Sequence, residues 1–191
     1  MCGAHLAESV RKKASKALRQ QLVLPKGKHT TILVAISGGK DSAVLLERIH
    51  ENLGKRRDVT IVGGCVDEGI EGYRPPSLEC ARKLCEDLGI RFETVSYPEL
   101  GFKEMDEVVD KIVQLEERKA PCSYCGVFRR QGINHLADRV NADVIALGHN
   151  LDDMAQTIMM NMQNGDLERT LRLAPHTSTP LEGMVPRIVP L

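Results

Sequence analysis

Tryptophan is absent and aromatic residues make up only 3% of the 191 residues, so the chain lacks the stacking platform on which single-stranded nucleic acids are read. Net charge is absent as well. With 26 basic residues against 26 acidic ones, the field of the whole molecule steers no polyanion, and any basic surface must be local. No apolar run approaches the roughly 20 residues that cross a bilayer, and the amino terminus lacks the apolar centre of a signal peptide. A cytoplasmic protein with no membrane partner is therefore expected. Internal repeats and low-complexity blocks are missing too. The six cysteines stop at Cys125 and read as thiols, some of them metal ligands, rather than as a disulfide framework.

What is present suits one well-buried soluble domain, with 42% hydrophobic and 27% charged residues. The most informative stretch runs from Ile32 to Ser42: five apolar residues of buried-strand type, then a tight polar turn entering a helix. Gly38 and Gly39 let the backbone fold closely around an anion, Ser37 and Ser42 are expected to cap the helix, and Lys40 stands beside the phosphate-directed amides. The turn is too short for the common Gly-x-x-x-x-Gly-Lys-Ser/Thr loop, and it is no Gly-x-Gly-x-x-Gly fingerprint.

The rest of the chain alternates strand and helix. Residues 1–22 predict an amphipathic basic helix with Leu6, Val10, Ala14, Leu18 and Leu22 on its apolar stripe and Arg11, Lys12, Lys13, Lys16 and Arg19 elsewhere, either solvated or touching RNA phosphates. Cys2 and His5 have the spacing of half a zinc site. Helices are expected over 42–53, 75–88, 103–117, 121–140 and 153–163, and strands over 59–66, 90–96 and 142–147. From Asn164 periodicity is lost, with Arg169 and Arg172 as phosphate or surface arginines and a short strand at 187–191. Asp67 and Glu68 end one strand, and Gly148, Asp152 and Asp153 follow another. Carboxyl ends of parallel strands are where ligands bind, so these carboxylates are candidates for magnesium or a proton, with a surface turn favoured for Glu68 and a helix cap as the other reading of Asp152. Cys80 and Cys85 fall on different helix faces and read as buried structural thiols. Cys122 and Cys125 open a helix whose positive end favours thiolate, as a redox dithiol, half a zinc site or part of an iron-sulfur cluster.

Ser37-Gly38-Gly39-Lys40-Asp41-Ser42 resembles the loop of ATP pyrophosphatases, which split ATP into AMP and pyrophosphate. Together with Asp67-Glu68-Gly69-Ile70, Pro121-Cys122-Ser123-Tyr124-Cys125-Gly126, Arg129-Arg130 and Gly148-His149-Asn150-Leu151-Asp152-Asp153, it makes the chain similar to the archaeal and eukaryotic tRNA 2-thiouridine synthetases. That family includes the wobble-uridine thiolases and relatives that thiolate a T-loop uridine. The resemblance implies a doubly wound parallel α/β sheet of adenine-nucleotide alpha-hydrolase type over residues 31–191, preceded by a basic helix with a zinc-finger remnant over 1–30. It implies adenylation of the uridine C2 oxygen followed by sulfur transfer. Lys40, Asp153, Cys122 and Cys125 would be catalytic. ATP would lie on Ser37, Gly38, Gly39, Lys40, Asp41, Ser42, Asp67, Arg129, Gly148, Asp152 and Asp153, with Mg2+. In the family, thiols at the positions of Cys122 and Cys125 and a third far downstream hold a 4Fe-4S cluster. With no later cysteine here, the expectation is a catalytic core cut short at its carboxyl end. Zn2+ at Cys2 and His5, a tRNA substrate, sulfide or a ubiquitin-like sulfur-carrier protein as donor, and a homodimer are also implied. A PP-loop enzyme acting on another tRNA base, or a non-catalytic nucleotide- or zinc-binding module, is the alternative.

Overall fold

A computed structural model describes residues 2–114, 120–171 and 184–191. Helix α1 (Gly3–Gln21) leads into β1 (Thr30–Ala35), α2 (Lys40–Leu53), β2 (Val59–Asp67), α3 (Arg74–Asp87), β3 (Arg91–Ser96), α4 (Met105–Val113), α5 (Pro121–Arg139), β4 (Val144–Ala146), α6 (Leu151–Gln163), α7 (Leu167–Leu171) and β5 (Arg187–Ile188). The strands form a parallel sheet in the order β3-β2-β1-β4-β5.

Each central strand is buried on both faces because its successive side chains point into different helix layers. Ile32 and Val34 of β1 join Leu18, Leu45, Leu46, Ile49 and Cys85 under α1, α2 and α3. Leu33, between them, joins Val62, Val95, Met105 and Leu136 under α4 and α5. The expected doubly wound sheet is therefore the one observed, and its order reverses between β1 and β4.

Local departures have local causes. Val109 is exposed while Met105 and Ile112 of α4 are buried, because a nine-residue helix has one narrow inward stripe, while Leu115 lies outside the described residues. Cys85 is buried but Cys80 is exposed: five residues apart, only one of them can face the sheet. After Asn164, where no period was legible, α7 forms a single short turn of helix; Arg172, Pro175 and Pro180 lie outside the described residues. At the end of β5, the Gln21 side chain donates to the Val189 carbonyl at 3.1 Å and accepts from its amide at 2.7 Å. Among the described residues no helix is long and apolar enough to cross a membrane.

Candidate nucleotide and thiol site

β1 delivers the chain at Ile36 into the glycine turn, and α2 leaves it. The turn is laced by its own serines. The Ser37 amide donates to Ser42 Oγ at 3.1 Å, Ser42 Oγ donates to the Gly39 carbonyl at 2.9 Å, and the Gly39 amide reaches Ser37 Oγ at 3.4 Å. This corrects the expected capping role: Gly39 is the N-cap of α2, with no side-chain cap bond. Ser42 sits inside the first turn with its hydroxyl directed back into the loop, so the leading amides of α2 stay aimed outward, as an anion requires.

Gly38 holds φ +83, and a Cβ there would lie 2.2 Å from the Ser77 carbonyl oxygen. Only glycine lets the loop lie against the start of α3 in this conformation. At Gly148 a Cβ would stand 3.2 Å from the Ser42 Cα, so the loop after β4 closes on α2.

The turn forms one wall of a cleft of about 230 Å³, whose other walls include Gly64, Glu68, Arg129, Gly148 and His149. It lies at the carboxyl ends of the strands, where the order reverses, the position at which open α/β sheets take ligands. Asp41 lines this cleft and Lys40 does not. The Lys40 ammonium is exposed, 2.8 Å from Asp41 Oδ2, and that hydrogen bond, with the charges of Asp41 and Asp153, holds its pKa above the ordinary lysine value.

Glu68, expected at a surface turn, is 4% exposed. Its carboxylate is held between two guanidinium groups, 2.7 Å from Arg74 Nε and 3.0 Å from Arg129 Nε. Arg74 is buried too and donates to the Ser37 carbonyl at 3.2 Å, to Cys65 Sγ at 2.9 Å and to the Val66 carbonyl. Arg129 continues to Cys125 Sγ at 3.2 Å. Burial would lower the Arg129 pKa, but the Glu68 carboxylate and the Cys125 sulfur outweigh it and raise it. Tyr97 donates to the Cys125 carbonyl at 3.1 Å, and burial pushes its phenol well above the ordinary value. A continuous set of contacts thus joins the glycine turn to the second thiol of the pair. The sequence offers Glu68 only as a strand-end carboxylate, with a surface turn favoured, and gives no signal at all for Arg74.

The remaining candidates are more scattered. Cys122 is exposed and Cys125 half-buried in the first turn of α5. Asp67 Oδ1 accepts from the Gly69 amide at 3.0 Å. Asn150, not Asp152, caps α6. Asp153 completes a capping box by accepting from the Asn150 amide at 3.0 Å. Asp152 lines a different groove, with Asp41 and Asn150. Cys2 Sγ lies 3.1 Å from His5 Nδ1. Among the described residues no group of three or more His, Cys, Asp or Glu side chains is placed to hold a metal ion.

A short serine-laced glycine turn between β1 and α2, opening at the switch point of a parallel sheet, is the architecture of an ATP-binding PP-loop domain. The profile of that family, described as PP-loop domain, matches residues 6–185, and the chain belongs to it. Among its relatives, the tRNA 2-thiolation protein NcsA of Haloferax volcanii is 39% identical over 176 residues, covering 90% of this chain and 54% of that protein. Cytoplasmic tRNA 2-thiolation protein 1 of Danio rerio is 40% identical over 164 residues, 84% of this chain and 46% of that protein. The chain therefore spans about half the length of the curated relatives it matches. In structure, the U34-tRNA thiolase NcsA from Methanococcus maripaludis, solved with its 4Fe-4S cluster, superposes with a TM-score of 0.82 at 33% identity over 100% of this chain and 60% of that one. An NMN synthetase from Francisella tularensis shares the fold alone, at a TM-score of 0.51 and 12% identity.

Cys122 and Cys125 offer two sulfur donors at a helix start, but iron-sulfur clusters of this type take more protein donors than the described residues bring together. Taken by themselves these residues do not fit a complete cluster site.

Proposed function

We propose that this chain carries the ATP-dependent site for 2-thiolation of a tRNA uridine, at the wobble position, in a cytoplasmic protein. The supporting observation is that one cleft is walled by the glycine turn and by Arg129, the residue that touches Cys125. The similarity to tRNA 2-thiolation proteins on either side of the archaeal and eukaryotic divide points the same way.

The chemistry has two steps. The uridine C2 oxygen attacks the α-phosphorus of ATP, the bond to pyrophosphate breaks, and the base carries AMP. A sulfur nucleophile then forms a bond at C2 as AMP leaves. The amides of Gly38, Gly39 and the first turn of α2 hold the phosphates, which Ser37, Asp41 and Ser42 surround. Lys40 and Arg129 offset the charge gathering on pyrophosphate. Mg2+, when bound, adds to that offset. Asp67, Asp152 and Asp153 stand outside the walls of the cleft and are assigned to the ATP site as the carboxylates that surround its rim, with Gly148 keeping its floor against α2. Cys122 and Cys125 are assigned the sulfur chemistry, Cys125 being tied to the cleft wall through Arg129. The 31–191 catalytic region, the Cys2 and His5 zinc remnant, sulfide or a ubiquitin-like carrier as donor, and a homodimer complete the proposal.

Lys40→Ala in the full-length protein is expected to cut tRNA-dependent pyrophosphate release by a factor on the order of 100 or more, measured as release rate per enzyme with fold checked by circular dichroism. Undiminished release would remove the site assignment. Nucleoside analysis of the product tRNA tests the base: a thiolated nucleoside other than 2-thiouridine would overturn the substrate.

A further inference from the structure

The balanced charge of the whole chain conceals a segregated one. On a helix that turns about 100° per residue, Ser9, Lys12, Lys13, Lys16, Arg19 and Gln20 of α1 share one arc, directly opposite the buried Ala14 and Leu18. No apolar side chain interrupts that arc. Lys12, Lys13, Lys16 and Arg19 are all exposed, and Lys13, Lys16 and Arg19 make no ion pair among the described residues. Of the acidic groups nearby, Glu8 and Glu51 are already paired, while Asp41 and Asp152 line the groove beside Lys13. Glu8 pairs with Arg11 at 3.7 Å and with Lys12 at 3.3 Å, and Glu51 of α2 pairs with Arg11 at 3.3 Å.

The arc also leads to the site. Lys13, with Val10 and Ala14, lines a groove of about 380 Å³ that is bounded on its far side by Asp41, Asn150 and Asp152. Asp41 belongs to the glycine turn and lines the nucleotide cleft as well. The groove and cleft therefore meet at one residue. From Lys12 to Arg19 the helix rises roughly 10 Å, enough for several cations to follow one strand of a polyanion.

We infer that this face of α1 is the track that holds the phosphate backbone of the tRNA while its target base enters the cleft. The inference rests on the proposed function. Lysine without aromatic or aliphatic anchors suits a phosphate backbone, whose binding is electrostatic and needs no apolar centre. Protein interfaces, by contrast, are depleted in lysine and built around buried anchors. Of the apolar stripe of α1, Ala14 and Leu18 are spent on the core, and the exposed Leu6 with the half-buried Val10 is too little apolar surface to lay into a lipid bilayer.

The test uses the full-length protein with Lys12, Lys13, Lys16 and Arg19 all changed to Gln, which keeps helix propensity while removing four charges, alongside a single Lys16→Glu variant. Affinity for unmodified tRNA is measured across a salt series, with ATP binding as a second reading. The quadruple variant should bind tRNA at least about tenfold more weakly at 0.1 M salt, and its dependence of log K on log salt should be shallower by about 3. Lys16→Glu should fall between, and ATP binding should be unchanged in both. Wild-type affinity and slope in the variants would overturn the track while leaving the thiolation reading intact. The track would equally be overturned if the variants kept tRNA binding but lost binding of an acidic sulfur-carrier protein. A wild-type protein that binds no tRNA at low salt would overturn both readings.

Discussion

Glu68 sits almost sealed from solvent between Arg74 and Arg129, and a carboxylate so placed is worth little as a pair but much as a partner. Exchanging a whole buried pair for apolar groups is often neutral, whereas deleting one member strands a charge. Glu68→Gln should therefore lower unfolding free energy by about 3 kcal/mol, read from urea denaturation, and should also weaken the hold on Arg129 at the cleft. A midpoint equal to that of the wild type would mean that Arg74, the buried one of the two arginines, is hydrated rather than sealed.

The buried thiols give a second residue-scale expectation. Burial raises Cys65 and Cys85 to about 11, so the fold favours their protonated forms. Their contribution is complete below the unfolded thiol value of about 8.5 and is lost as pH climbs toward the folded value. Urea midpoints should drop between about pH 8 and pH 10.5, and Cys85→Ala should flatten that decline; an unaltered slope in this variant would exclude the thiol as its source. Neither the burial of Glu68 nor the exposure of Cys80 was legible in the chain. The arginines that bury Glu68 come from positions 6 and 61 residues later, and no local pattern reports them.

Among the elements, α6 carries two roles on one side chain. Asp153 is the carboxylate nearest Lys40 in its electrostatic effect after Asp41, and it also closes the capping box with Asn150. Asp153→Ala should cost about 1 kcal/mol through the cap alone, so lost activity in that variant is ambiguous. Asp153→Asn retains an acceptor for the Asn150 amide. If the charge matters to chemistry, thermal melts of the Asn variant should match wild type while pyrophosphate release falls; equal activity would reduce Asp153 to a helix cap. The alternation of strands and helices, the doubly wound layers and the start of α5 at the cysteine pair were all readable, because apolar period and proline placement are local signals. The ends were not. β4 shrank to three residues, because a parallel strand is as long as its neighbours' pairing makes it. α7 escaped because a five-residue helix contains barely more than one period.

Across the whole molecule, the segments that carry the glycine turn and the thiol pair start on opposite layers of the sheet, α2 with one core and α5 with the other. They meet only at the rim, where β1 and β4 part company. The glycine turn could be read from six residues. The bridge from it to Cys125 could not, since it is assembled from β2, α3 and α5 only once the sheet has formed.

The Gln21 amide at the sheet's last strand has a wider effect than its two hydrogen bonds suggest. Val189 turns its peptide groups away from β4, toward the side on which another strand would add, and the Gln21 carboxamide occupies both, donating to one and accepting from the other. Among the described residues no strand pairs with β5 on that side, so the side chain stands in for a neighbour and a strand arriving from another molecule finds that rung of the ladder taken. Because the impostor belongs to the last turn of α1, the helix that carries the basic arc also stands guard over the border of the sheet.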